Sequence, residues 1–255
     1  MNEKVSWSNR FEVKPGRWVY NPTQEARIIG LEINQLIKAN WEPPSYYYHL
    51  RSGGHIAALK THLDSEYFAV VDISDFFGSI SRSRITRSLK QFLGYEQARK
   101  IAKKSTVTSG PGYQHSHYLP YGFVQSPILA SLAFHMSSLG NLLEELSMDN
   151  RLQITVYMDD IVLSSNDSSY LSNVFRQVTK SAERAKFLVN ENKSRPVSRR
   201  VTAFNIKLSN KEMELTRERF IEFQRAYVLS NNPAQRRGIG AYVGTVNKTQ
   251  ATWLI

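Results

Sequence analysis

The sequence contains no cysteine. That excludes disulfides, thiolate metal sites and a cysteine nucleophile, and it suits an intracellular protein. Long apolar runs are missing as well. No stretch approaches the ~18 residues of a membrane-spanning helix, so no membrane partner is expected. The opening segment, MNEKVSWSNR, has no apolar stretch behind its charges, so no secretory signal is expected. There is no internal repeat, low-complexity tract or Gly/Ser linker. What remains is globular composition: 255 residues, 41% hydrophobic and 22% charged. This is ample for a core in one unit or a few packed lobes.

Acidic residues are scarce relative to basic ones, 22 against 33, for a net charge of +11. The excess is uneven: residues 180–255 carry 15 Lys/Arg and 6 acids. A basic final third points to a polyanion, of which nucleic acid is the common one. A soluble protein that is merely basic fits the charge equally well.

YFAVVDI (67–73) is a continuous run of aromatic and β-branched residues and reads as a buried strand. HIAALKTHL (55–63) has helical spacing, and RSRITRSLKQFLG (82–94) reads as a helix ending at Gly94. Residues 105–118 form a loop around Gly110, Pro111 and Gly112. The longest helical pattern spans 126–146, with Ser126 as cap and Pro127 in the first turn. LQITVY (152–157) and IVLSS (161–165) predict a hairpin with Met158-Asp159-Asp160 at its tip. Residues 170–187 form an amphipathic helix and 199–210 a strand or hairpin. A helix at 216–230 closes the regular structure. The irregular alternation predicts an α+β fold.

Asp159 and Asp160 are like charges side by side between apolar strands, and Asp72 ends another buried strand. A solvated turn accounts for most isolated Asp-Asp pairs. A carboxylate at the end of a buried strand is costly without a partner. If the two strand units share a sheet, the three acids meet. Carboxylates without cysteine or nearby histidine suit Mg²⁺ or Mn²⁺. Two such ions can activate a 3′-hydroxyl and stabilise leaving pyrophosphate.

The order VVDISDFFGSI, LPYGFVQSP, YMDD resembles the palm of a reverse transcriptase. Asp72 matches the first catalytic aspartate, and Asp159 and Asp160 match the pair of the YxDD motif. RWVYNP (17–22) and HLRSGGHIAALKTHL (49–63) resemble fingers segments. ENKSRP (191–196) resembles the stretch whose lysine lies near the incoming triphosphate, and VTAFNIKLSN (201–210) the primer-grip hairpin. The likeness covers roughly 11–210. It leans toward the prokaryotic branch of retron, group II intron and defence-associated enzymes. The expected architecture is a right hand with an antiparallel-sheet palm. Fingers are expected at 1–64 and 81–118, palm at 65–80 and 119–207, and a short helical thumb at 208–255. No room is expected for a nuclease, integrase or maturase domain.

The resemblance implies RNA-directed DNA polymerase activity with dNTPs and two Mg²⁺ ions, Mn²⁺ being able to substitute. It implies an RNA template, a DNA product and a cytoplasmic bacterial setting. A dedicated non-coding RNA, antiphage defence, and a homo-oligomer or effector protein follow from the prokaryotic branch. Phe77 would block a ribose 2′-OH, with a core Phe as the alternative. Arg17 would grip the triphosphate or be a solvated fingers residue. Lys193 would neutralise pyrophosphate. Tyr121 stands where the family has Gln, and Gln125 where Thr or Gly is commoner; both are assigned to the nucleotide site. Met158 stands where bacterial relatives have Ala, and Ala203 replaces a frequent Gly. Tyr46, Tyr47 and Tyr48 would stack on template bases, or pack within the fold. Arg195, Arg199, Arg200, Arg217, Arg219, Arg236 and Arg237 are expected on duplex phosphates. His115 and His117 have ligand-like spacing but no companion ligands, so no metal is expected there. The competing readings are template-independent or protein-primed synthesis, an RNA-dependent RNA polymerase (against which Phe77 argues), and a non-catalytic RNA-binding scaffold.

Overall fold

A strand as uniformly apolar as YFAVVD must be covered on both faces. In the computed structural model, which describes residues 6–14, 16–109 and 115–254, it lies inside a four-stranded antiparallel sheet. In chain order the elements begin with strands β1 (Trp7–Lys14) and β2 (Arg17–Pro22), then helices α1 (Gln24–Asn40) and α2 (Gly54–Lys60). There follow β3 (Tyr67–Asp72), α3 (Arg82–Leu89), α4 (Tyr95–Lys104), and the short strands β4 (Val107–Thr108) and β5 (His117–Tyr118). Next come α5 (Ser126–His135), α6 (Ser138–Leu146), β6 (Gln153–Tyr157), β7 (Asp160–Ser165) and α7 (Ser168–Arg184). The remainder is β8 (Arg195–Ser198), β9 (Arg200–Ala203), β10 (Ile206–Ser209), β11 (Glu212–Leu215), α8 (Arg217–Leu229), α9 (Pro233–Val246) and α10 (Lys248–Thr252). The class is α+β with antiparallel sheets. No helix among the described residues is long and apolar enough to cross a membrane.

The chain divides into two compact units, residues 1–44, 73–144 and 181–188 in one and 45–72, 145–180 and 189–255 in the other. The second contains the sheet β6-β7-β3-β8 and the meander β9-β10-β11. Its core joins Phe68, Val70 and Val162 to Ile206, Leu208 and Val243. Buried beneath the sheet, the His62 ring contacts two hydroxyls, Ser164 Oγ at 2.7 Å from Nδ1 and Thr155 Oγ1 at 2.8 Å from Nε2. The open edge of β11 is covered by side-chain amides. The Leu215 N–H donates to Gln250 Oε1 at 2.8 Å, and Gln250 Nε2 donates back to the Leu215 carbonyl at 3.1 Å. Asn247 Nδ2 reaches the Met213 carbonyl at 2.9 Å.

In the first unit β1 and β2 form a hairpin, and α1 starts at Thr23, whose hydroxyl accepts the Ala26 N–H at 3.2 Å. The apolar spacing Ala26, Gly30, Ile33, Ile37 buries one face of α1.

Five expectations need correction. The 126–146 pattern is two helices, because Ser137 donates to the Phe134 carbonyl at 2.6 Å and accepts the Gly140 N–H at 3.2 Å, ending α5 and capping α6. Ser126 caps nothing; its hydroxyl donates to the Pro120 carbonyl at 2.7 Å. The 82–94 helix stops at Leu89, and Gly94 begins α4 instead of ending α3. Regular structure does not close at residue 230, since α9 and α10 follow. Within the expected 105–118 loop, β4 and β5 pair through Val107–Tyr118 and Thr108–His117. Gly110, Pro111 and Gly112 lie outside the described residues.

Candidate active site

β3 and β7 pair antiparallel in a register that sets Asp72 directly opposite Asp160. On its other side β7 pairs with β6, Tyr157 opposite Asp160, which leaves a two-residue turn of Met158 and Asp159. The sheet thus brings the ends of two sequence-distant strands together. Asp72 is 4% exposed. A short loop holds it from three directions: its N–H donates to Ser194 Oγ at 3.1 Å, its carbonyl accepts the Asn190 N–H at 2.8 Å, and Lys193 Nζ donates to Oδ2 at 3.1 Å. Burial pushes the Asp160 carboxyl up to about 7; the Asp159 and Asp72 charges and a hydrogen bond to Asp72 add to this, and Lys193 opposes it.

The turn itself is strained. Met158 has φ 60°, a left-handed conformation uncommon outside glycine. Its N–H donates to His49 Nδ1 at 3.2 Å. Burial pushes the His49 imidazole down to about 4, opposed by a hydrogen bond with the Val156 backbone, so the ring is neutral and able to accept. The segment before it runs along β6, the Val156 N–H donating to the Tyr46 carbonyl at 2.8 Å. Sequence reasoning passed over His49 as a clamp. Nothing in the spacing of residues 49 and 158 signals the contact. Tyr46 and Tyr47 are buried, which favours packing over base stacking, while half-buried Tyr48 lies 5.0 Å from the Arg51 guanidinium.

The first unit gathers three of the expected nucleotide residues. The buried Phe77 ring meets Tyr121 edge-on at 4.6 Å, and the Arg17 guanidinium lies 4.8 Å from the Tyr121 ring centre. Tyr121 is fixed by its carbonyl, which accepts the Tyr20 N–H at 2.8 Å. That approach requires Gly122: its φ is +100°, and a Cβ there would stand 2.2 Å from the Tyr20 carbonyl oxygen. Gln125 is set apart from these three. It is 1% exposed, donates to Ser105 Oγ at 3.3 Å, and packs against Gly30 of α1.

The arginines divide by partner. Arg200 pairs with Glu212 at 3.3 Å and Arg219 with Glu222 at 2.7 Å. Arg199 lies over Tyr67 at 5.6 Å, and Arg236 Nε donates to the Ser230 carbonyl at 2.8 Å. Arg195 Nη1 donates to the Asn192 carbonyl at 2.7 Å. Arg217 and Arg237 are exposed on α8 and α9. His117 contacts Ser116 Oγ at 3.1 Å, and the His115 carbonyl accepts Ser109 Oγ at 2.6 Å.

Among the described residues no three His, Asp or Glu side chains stand ready as a metal cage. The donor set nevertheless fits a divalent cation. Asp72, Asp159 and Asp160 offer only carboxylate oxygen, the ligand of hard ions, and at Asp160 their repulsion is opposed by the Lys193 ammonium.

A family model described as reverse transcriptase (RNA-dependent DNA polymerase) matches residues 19–226, most of the chain. The chain belongs to the reverse transcriptase family. Among solved structures, a Candida albicans telomerase bound to a fragment of telomeric RNA is similar at 12% identity and TM-score 0.52, covering 90% of this chain and 47% of that one. A foamy viral protease-reverse transcriptase in complex with an RNA/DNA hybrid is similar at 18% identity and TM-score 0.51, covering 95% of this chain and 29% of that one. At such identities the likeness is one of fold, and this family member spans less than half of either chain's length. No curated protein matches the sequence.

Proposed function

We propose that the chain is an RNA-templated DNA polymerase that joins dNTPs to a 3′-hydroxyl. One observation carries the reading: Asp72 faces Asp160 across two buried strands, with Asp159 in the adjoining turn, in a member of this family. The proposed cofactors are two Mg²⁺ ions, or Mn²⁺, held by Asp72, Asp159 and Asp160. When bound they supply Lewis acidity at the 3′-hydroxyl and neutralise the leaving pyrophosphate.

The chain's own residues orient and select. Ser194, Asn190 and Lys193 hold Asp72, and His49 holds the turn. The Lys193 side chain is 62% exposed, so it can exchange Asp72 for a phosphate oxygen. Phe77, braced by Tyr121, is the proposed barrier to a ribose 2′-OH, and Arg17 the proposed triphosphate contact. The exposed arginines of the basic final third are the proposed phosphate contacts for nucleic acid. The motif likeness to the prokaryotic branch supports a role with a structured non-coding RNA in antiphage defence, testable by a phage panel against Asp159→Ala/Asp160→Ala cells.

The test is labelled dNTP incorporation on an RNA template with a DNA primer and Mg²⁺. Asp159→Ala and Asp160→Ala should each abolish incorporation while RNA binding persists. Near-normal incorporation by either variant overturns the assignment. Incorporation indifferent to the template supports the template-independent alternative.

A further inference from the structure

A second basic site lies in the first unit, away from Arg17, Phe77 and Tyr121 in its lining. A cavity of about 300 Å³ opens where α3, the α5–α6 junction and the end of α7 meet. Arg84, Arg87, Arg184 and Lys186 line it, and no carboxylate does. Among the described residues none of these four cations forms an ion pair. Four like charges around one hollow repel one another and call for an anion.

Arg84 is the cation of the four that the fold holds in place. Its guanidinium is pinned from two sides: Nη2 donates to the Ala185 carbonyl at 2.6 Å, and Cζ lies 4.4 Å from the Phe187 ring centre. Nη1 is buried and makes no hydrogen bond among the described residues. A buried donor without an acceptor is rare, and on an arginine it is a charged donor held in fixed orientation. Burial and the neighbouring Arg87 push the Arg84 guanidinium below its ordinary range, as expected of a cation that lacks its counter-ion. Arg87 and Lys186 are exposed and free to close over a ligand.

We propose that this cavity is a phosphate-binding site in which Arg84, Arg87, Arg184 and Lys186 balance the charge of the bound anion. Guanidinium forks match phosphate oxygens in pairs, and the volume is at the small end of ligand clefts, suited to a pyrophosphate-sized anion or to backbone phosphates. The inference is independent of the polymerase reading, since no Asp72, Asp159 or Asp160 atom takes part.

The test is isothermal titration of inorganic pyrophosphate into the full chain with EDTA and no divalent cation, which silences metal-dependent binding. Saturable binding is expected, at least tenfold weaker in Arg87→Gln/Lys186→Asn, a variant altering only exposed side chains and leaving Tm unchanged without ligand. Arg84→Met, which retains an apolar stem over Phe187, should lose the pyrophosphate-dependent rise in Tm. A second arm titrates a DNA duplex with 5′-hydroxyl ends. Mutual competition between duplex and pyrophosphate, with both weakened in the double variant, identifies backbone phosphate as the source. Duplex binding unchanged in that variant, with pyrophosphate weakened, identifies a free small anion. No saturable binding to the wild-type chain, or equal binding by the double variant, overturns the proposal.

Discussion

The backbone N–H of Met158 donates to Nδ1 of His49, 109 residues earlier, at 3.2 Å. This contact restrains a left-handed residue immediately before Asp159. His49→Leu removes the acceptor and is expected to lower kcat about tenfold, the equivalent of ~1.4 kcal/mol at the barrier, with nucleotide KM nearly constant. His49→Asn offers a carbonyl acceptor and should recover part of the loss. Steady-state kinetics on the three proteins check this, and equal kcat in all three would remove His49 from the site.

Asp160 is expected to trade stability for function. At pH 8 its charge faces those of Asp159 and Asp72. Asp160→Asn removes that repulsion and should raise Tm by roughly 2–6 °C while abolishing incorporation. Calorimetry of the metal-free protein measures the shift, and a lower Tm would mean that the carboxylate is held by attraction instead.

His62 should make the fold acid-sensitive. Burial pushes its imidazole down to about 3, against about 6.5 in the unfolded chain. A base depressed on folding contributes its stability above the unfolded value and loses it as pH falls toward the folded one. About 2 kcal/mol should vanish between pH 6.5 and 5. Urea unfolding at both pH values measures the slope; His62→Gln should flatten it, and an unaltered slope would assign the loss to other groups.

Phe77 and Tyr121 should act as one unit in sugar selection, because their rings meet edge-on at 4.6 Å. Phe77→Ala is expected to raise ribonucleotide use relative to deoxynucleotide use, and Tyr121→Ala to move the same ratio in the same direction by releasing Phe77. Competition between dNTP and NTP gives the ratio, and a ratio unmoved by both variants would make the pair core alone.

The strands around the carboxylates were legible because each is a short apolar run with an acid at a fixed end, so pairing brought Asp72 and Asp160 together. The α1 helix carries a legible signal, a Thr23 cap and the spacing of Ala26, Gly30, Ile33 and Ile37, which lies outside the motifs that resemble the family. The break at Ser137 was hidden because its hydroxyl both ends one helix and caps the next, within an uninterrupted apolar pattern. His49, Ser194 and Gln250 act through long-range contacts to backbone, and backbone partners leave no trace in side-chain patterning.

Gln250 and Asn247 have a consequence for assembly. Their amides take up the outward N–H of Leu215 and the outward carbonyls of Met213 and Leu215, so the rim of β11 is already hydrogen-bonded as though another strand lay beside it. An extended peptide or a second copy of the chain would have to compete with these amides for the Leu215 and Met213 backbone groups. Edge-to-edge sheet growth at this rim would first have to displace these two amides.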